Sequence, residues 1–111
     1  MPVSRGFQES VMERLESLGE ISDRAMFGGY GIFYQGLMFA LTSEDVLYLK
    51  VDKSNLEDYE KAGSHKLPHG ISYWEVPPDV LEDVGTLEEW AGKSIDIAVA
   101  ADAKKSRKKR K

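Results

Sequence analysis

A chain of 111 residues has room for one domain, and by surface-to-volume scaling such a domain buries roughly 60 to 70% of the surface its unfolded form exposes, enough for a self-standing core. A hydrophobic share of 41%, a charged share of 31% and no cysteine exclude collagen-like, coiled-coil and wholly disordered chains, as well as disulfide scaffolds, thiolate metal sites and cysteine nucleophiles. The formal net charge of −4 hides a division: Lys104, Lys105, Arg107, Lys108, Lys109, Arg110 and Lys111 supply 7 of the 15 basic residues, which leaves residues 1–103 with 8 bases against 19 acids, a net −11.

Ser4 predicts the cap of a first helix of about four turns, whose Phe7, Val11, Met12, Leu15 and Leu18 recur at steps of three and four and which Gly19 stops. Short apolar segments follow at 21–27, 31–34, 37–41 and 46–51, broken by Gly28-Gly29, Gln35-Gly36 and Ser43-Glu44-Asp45. Turns this short predict antiparallel pairing. Met38-Phe39-Ala40-Leu41 is apolar on both faces, which suits a central strand with the core on one side and a helix or a partner subunit on the other.

Ser54 and Glu57 have capping-box spacing for a second helix through Leu56, Tyr59 and Lys61, ended by Gly63. Residues 63–70, with Pro68 and two histidines, read as a loop before a strand at 71–76, which Pro77-Pro78 terminates by removing two ladder donors. Asp79 can start one helical turn with Val80 and Leu81, and Thr86 and Glu89 repeat the capping-box spacing at the head of a closing helix. That helix puts Leu87, Trp90, Ala91, Ser94, Ala98 and Ala101 on one side, and its alanines allow close approach to a neighbour. Successive hairpins, rather than alternating strand and helix units, predict an α+β domain over residues 1–103, an antiparallel sheet of about five strands covered by helices, with a disordered basic tail at 104–111. No apolar run approaches the roughly 20 residues of a membrane span, and residues 1–9 lack the basic and apolar parts of a signal peptide, so the expected setting is the cytoplasm without membrane contact.

Candidate sites are few. In Gly28-Gly29-Tyr30-Gly31 the third glycine of a dinucleotide fingerprint would fall at Tyr34, and a strand follows, so a turn or bulge with positive backbone angles is expected instead of a phosphate loop. Arg24 is expected to pair with an acid of the body; with Tyr30 and Trp74 it also marks the one small-molecule site the residues suggest. His65 and His69 would converge on a metal only from a helix, which Pro68 and Gly70 oppose, so no metal site is expected. The acidic pairs Glu57-Asp58, Glu82-Asp83 and Glu88-Glu89 diverge by about 100° on a helix and read as solvated faces and first-turn charges. Ser64 beside His65 lacks the strand-to-helix elbow of a hydrolase. No catalytic constellation and no cofactor are therefore expected. Seven tail cations on DNA phosphates would give a log affinity against log salt slope of about −6, without sequence information and, lacking aromatics, without base stacking.

The run Arg24-Ala25-Met26-Phe27-Gly28-Gly29-Tyr30-Gly31-Ile32-Phe33 resembles the TfoX N-terminal domain family, named for a bacterial regulator of natural competence. The similarity continues through Phe39-Ala40-Leu41, residues 47–52, residues 73–83, Leu87 and Trp90, nearly the whole chain apart from the basic tail. The resemblance implies an α+β sheet domain similar to secretion-chaperone folds, commonly dimeric, with no enzymatic activity to name and a loose tie to gene regulation. It assigns no role to the motif residues Arg24, Met26, Phe27, Gly28, Gly29, Tyr30 and Gly31. Full-length family regulators carry a second, C-terminal domain, which is expected to be missing here, and relatives often keep an aromatic-rich segment where the loop before Ile71 is short. The expected function is a non-enzymatic binding module that acts through protein contact as a homodimer, with an unidentified protein partner and a role in transcriptional regulation. The alternative is a nucleic-acid accessory protein that grips phosphates through the tail.

Overall fold

A computed structural model describes residues 4–26, 28–68 and 71–109, with side chains as far as Lys104. In chain order the elements are α1 (Arg5–Leu15), a 3-10 turn (Glu16–Leu18), β1 (Ile21–Met26), β2 (Gly29–Tyr34), β3 (Leu37–Ser43), β4 (Val46–Lys50), α2 (Leu56–Lys61), β5 (Tyr73–Glu75), α3 (Pro78–Glu82) and α4 (Val84–Lys109). The five strands form one antiparallel sheet in the order β1-β2-β3-β4-β5, so the α+β architecture expected from the hairpin succession is the one observed.

Each hairpin turn has a local cause. Gln35 and Gly36 join β2 to β3 with φ +48° and +85°, and Glu44 and Asp45 join β3 to β4 with φ +51° and +59°. Positive φ at both central residues is the pattern of type I′ turns, whose twist matches that of the flanking strands. Gly28, with φ +78°, lies in the β1–β2 connection as the sequence leads one to expect, while Phe27 lies outside the described residues.

The helix ends differ from the sequence expectation in three places. The Ser4 hydroxyl accepts from the Phe7 N–H at 3.2 Å, which is the predicted cap of α1. The Ser54–Glu57 capping box does not form: Ser54 instead donates through its hydroxyl and its N–H to the Asp52 carboxylate at 2.6 and 2.7 Å, and Asn55 is the residue before α2. A short Asp52 side chain two residues back is a nearer acceptor than a helix that has not yet begun. The closing helix starts three residues earlier than its expected box. Leu87 N–H already donates to the Asp83 carbonyl at 2.8 Å, and Thr86 Oγ1 donates to the Asp83 carboxylate at 2.8 Å, so Thr86 sits within the first turn and Asp83 precedes it. At the other end the helix backbone does not stop at residue 103 but continues through Lys109, as a run of Ala, Lys and Arg without Gly or Pro allows.

Strand alternation decides where the helices go. Ile32, Ala40, Leu49 and Trp74 stand opposite one another across four strands and share a face, as do Thr42 and Leu47. This face receives α4, through Leu87, Ala91, Ser94, Ile95 and Ala98 at steps of three and four, and α1 through Val11 and Leu15. Ala101, expected on the same side, is exposed. Each fully buried Leu or Ile here contributes about 1.5–3 kcal/mol relative to an exposed one. The pairing slips between Ile32 opposite Ala40 and Phe33 opposite Met38, leaving Phe39 as the extra residue of a bulge. The bulge lets Phe39 and Ala40, adjacent in sequence, both be fully buried. A polar link fixes α1 over the sheet: Thr42 Oγ1 donates to Gln8 Oε1 at 2.7 Å, and Gln8 Nε2 donates to Asp23 at 2.9 Å. Tyr59 of α2 completes the core between Trp74 and Trp90, with ring centroids at 6.3 and 4.6 Å.

A non-glycine residue at positive φ strains a type I′ turn, and Asn tolerates that region better than Gln. Gln35→Asn, which creates the favoured Asn-Gly pair, should stabilise the domain by about 0.5 kcal/mol, read as a thermal midpoint about 2–4 °C higher.

Candidate binding surface

All four helices crowd one side of the sheet, so the other side is built from the alternate residues of the strands. Ser22, Arg24 and Met26 of β1 stand opposite Phe33, Gly31 and Gly29 of β2, and the row through Arg24 and Gly31 continues across Leu41, Tyr48 and Glu75. On this face Arg24, expected to pair with an acid, instead holds its guanidinium over the Phe33 ring at 4.8 Å, and among the described residues it makes no ion pair. The neighbouring acid Asp23 is engaged by Gln8 on the opposite face, and the aromatic ring is the partner at hand.

Gly31 marks the floor of the face. A Cβ at this position would come within 2.9 Å of Met26 Sδ, 3.1 Å of Met38 Sδ and 3.1 Å of Phe33 Cε1, so three soft apolar side chains close over a bare backbone. Beside them lies a cleft of about 540 Å³, lined by Met26, Tyr30, Leu41, Thr42, Ser43, Leu67, Pro68 and Ile71. Its far wall is the segment before β5, which the sequence suggests only as a loop. Ile71 is 45% exposed at the rim, a large apolar side chain left in water. Nothing in the spacing of Leu67 and Ile71 ties them to Met26 and Leu41, because the pairing is created by the chain folding back along β5.

That fold-back also finishes one edge of the sheet. Glu75 N–H donates to the His65 carbonyl at 2.9 Å, Leu67 N–H donates to the Tyr73 carbonyl at 2.7 Å, and Lys66 bridges Trp74. His65 thus acts through its backbone, Ser64 donates its hydroxyl to the Glu75 carbonyl, and His69 lies outside the described residues. Among the described residues no group of three or more His, Asp or Glu is placed to hold a metal ion. Trp74 points to the helix side beside Tyr59, away from Arg24, so the two do not share a pocket.

A family model, that of the TfoX N-terminal domain, matches residues 13–98. The chain belongs to this family. No match is found among curated proteins. Within the TfoX N-terminal domain the motif residues separate by role: Met26, Gly31 and Tyr30 build the floor and cleft, Gly28 and Gly29 the hairpin end, and Arg24 the charged border. The side chains of the basic cluster beyond Lys104 lie outside the described residues, and Lys104 itself is exposed.

The titratable groups around the sheet are tuned by burial. Burial pushes the Tyr73 phenol up to about 12, and its hydroxyl donates to the Met38 carbonyl at 3.4 Å. A raised folded value stabilises the fold fully below the ordinary tyrosine range, and that contribution disappears as pH climbs through about 12. Tyr48 is raised by burial and then by Glu75 and Glu44, and Tyr59 is raised further still by burial. The Tyr59 hydroxyl is buried beside Ser94 without a formed hydrogen bond, while Ser94 donates its own proton to the Lys50 carbonyl at 2.7 Å. Hydrogen bonds from Ser54 hold Asp52 low, and the hydrogen bond to Asp58 holds Lys93 high. Neither of these two exposed groups faces the cleft.

Two glycines of the motif are required by contact, with different severity. A Cβ at position 29 would run into the Thr42 carbonyl oxygen, which is backbone, whereas one at position 31 meets only the ends of flexible side chains. Gly29→Ala should therefore cost about 3 kcal/mol or prevent folding, and Gly31→Ala about 1–2 kcal/mol, in urea unfolding of the two variants. Equal losses would contradict this account of the hairpin.

Proposed function

We propose that this TfoX N-terminal domain is a non-enzymatic binding module that works through protein–protein contact on the helix-free side of its sheet, as a homodimer, in the regulation of transcription in the cytoplasm. The observation that carries the reading is the cleft between Met26 and Leu41 on the sheet and Leu67, Pro68 and Ile71 above it. Its volume of about 540 Å³ lies in the range of sites that enclose a ligand or a large side chain. Of its lining residues Tyr30 alone is titratable, so the cleft offers apolar burial and lacks the paired acid and base that proton transfer needs. The occupant that fits is an apolar side chain of a protein partner, since methionines adapt to such groups and the exposed Ile71 gains most from being covered. Among the described residues no helix is long and apolar enough to cross a membrane.

The alternative route, to polyanions, is supported by the charge division alone, 7 cations in the last eight residues beside a body of net −11. Both routes are separated by one comparison of wild type, Ile71→Asp and a chain ending at residue 103 in capture of partners. A protein partner held by wild type and lost about tenfold or more by Ile71→Asp, with the shortened chain unaffected, is the expected result. Equal capture by wild type and Ile71→Asp, or no protein captured by either, contradicts the reading. Retention of DNA that vanishes in the shortened chain, with a steep salt dependence, assigns the contact to the tail instead.

A further inference from the structure

The two edges of the sheet are finished differently. The edge at β5 is covered by residues 65–67, whereas the outer edge of β1 has no pairing strand among the described residues. β1 carries two charged residues, Asp23 and Arg24, but has no proline, and its six-residue register with β2 is unbroken by any bulge. Gln35 N–H donates to the Glu20 carbonyl at 3.1 Å, so Glu20, and by alternation Ser22 and Arg24, turn their backbone groups toward β2. Ile21, Asp23 and Ala25 consequently aim theirs outward. Ile21 N–H is taken by the Gly19 carbonyl at 2.9 Å, which leaves the N–H groups of Asp23 and Ala25 and the carbonyls of all three facing outward.

Continuing the alternation of β1 by one residue through the Gln35–Glu20 hydrogen bond, the helix-free side reads Glu20, Ser22, Arg24: acid, neutral, base. Such a sequence is complementary to itself when two copies run antiparallel about the middle residue. We propose that β1 pairs with β1 of a second copy in the register that sets Ser22 opposite Ser22, joining the two sheets into one of ten strands. This rests on the homodimer reading above and specifies its surface. A two-fold axis perpendicular to the sheet keeps each face on its own side, so residues opposite one another must share parity, and the permitted registers differ by steps of two. One step along sets Asp23 opposite Asp23, and two steps set Arg24 opposite Arg24, both like-charge contacts. With Ser22 at the centre, Glu20 meets Arg24 of the second copy twice, and Ile21 meets Asp23 twice with outward backbone groups facing each other. The guanidinium is already steadied over Phe33 with its N–H groups available, and a shallow hollow of about 650 Å³ lined by Glu20, Ile21, Ser22, Gln35 and Gly36 lies beside the edge to receive it.

The test is a charge exchange read by sedimentation over a range of concentrations, on full-length protein whose fold is checked by circular dichroism. Glu20→Arg and Arg24→Glu should each weaken self-association about tenfold, since each sets like charges opposite at both ends. An equimolar mixture of the two variants should recover wild-type association, because every junction in the mixed dimer again joins acid to base. The chain has no cysteine, so Ser22→Cys supplies an independent readout. Directly opposed strand residues come within disulfide reach, and mild oxidation should lock the dimer through this position but not through the exposed Lys53→Cys. A wild-type dimer that ignores both reversals and does not cross-link through Ser22→Cys overturns this surface while leaving the homodimer. A wild-type chain that stays monomeric throughout overturns both.

Discussion

The structure depends on the one-sided burial of a twisted antiparallel sheet. Strand alternation places Ile32, Ala40, Thr42, Leu47, Leu49 and Trp74 on one face, and α1, α2, α3 and α4 all compete for that face because it is where apolar area can be buried. Once α4 has docked through Leu87, Ala91, Ser94 and Ile95, and the Thr42–Gln8–Asp23 link has fixed α1, no helix among the described residues is left to cover the reverse side. Its alternate residues must then be protected by smaller means. Met26, Met38 and Phe33 close over Gly31, Tyr73 reaches across to the Met38 carbonyl, and the segment through Leu67 and Ile71 shelters part of Leu41. What remains unsheltered, the cleft and the β1 edge, is where the function proposed for the domain is sought.

Much of this layout is written locally. Ser4 and Gly19 bracket α1 together with its 3-10 turn because a hydroxyl can accept an orphan N–H and a glycine can take φ +113°, and both effects act within a few residues. The two-residue connections at Gln35-Gly36 and Glu44-Asp45 force antiparallel hairpins for the same reason, and Pro77-Pro78 ends β5 because neither proline can donate to a ladder. The family resemblance is carried by residues of this kind, turn glycines and strand interiors, which is why it speaks to the fold and is silent about a partner.

The remainder was illegible because it is decided by neighbours distant in sequence or by competition at short range. Capping-box spacing at Ser54 and at Thr86 was outbid by the carboxylates of Asp52 and Asp83, which lie closer and accept more strongly. The bulge at Phe39 appears only when β2 and β3 are paired. Arg24 has acids all around it in the composition, yet the strand directs it to the face where Phe33 lies and Asp23 to the face where Gln8 lies. The cleft joins residues about forty positions apart in the chain, Met26 with Leu67 and Ile71, and no periodicity reports such a meeting. α4 runs past the expected boundary because basic residues that read as a tail by charge are also good helix formers.

The measurement that bears most directly on the central claim, that the uncovered side and edge of the sheet exist to meet another macromolecule, is amide hydrogen exchange of the wild-type protein at low and high concentration. The account predicts that protection at Asp23 and Ala25, whose N–H groups face outward from β1, rises with concentration while the interior β3 amides stay unchanged. Exchange at β1 that is equally fast at every concentration, in a sample shown to be self-associated, would contradict it.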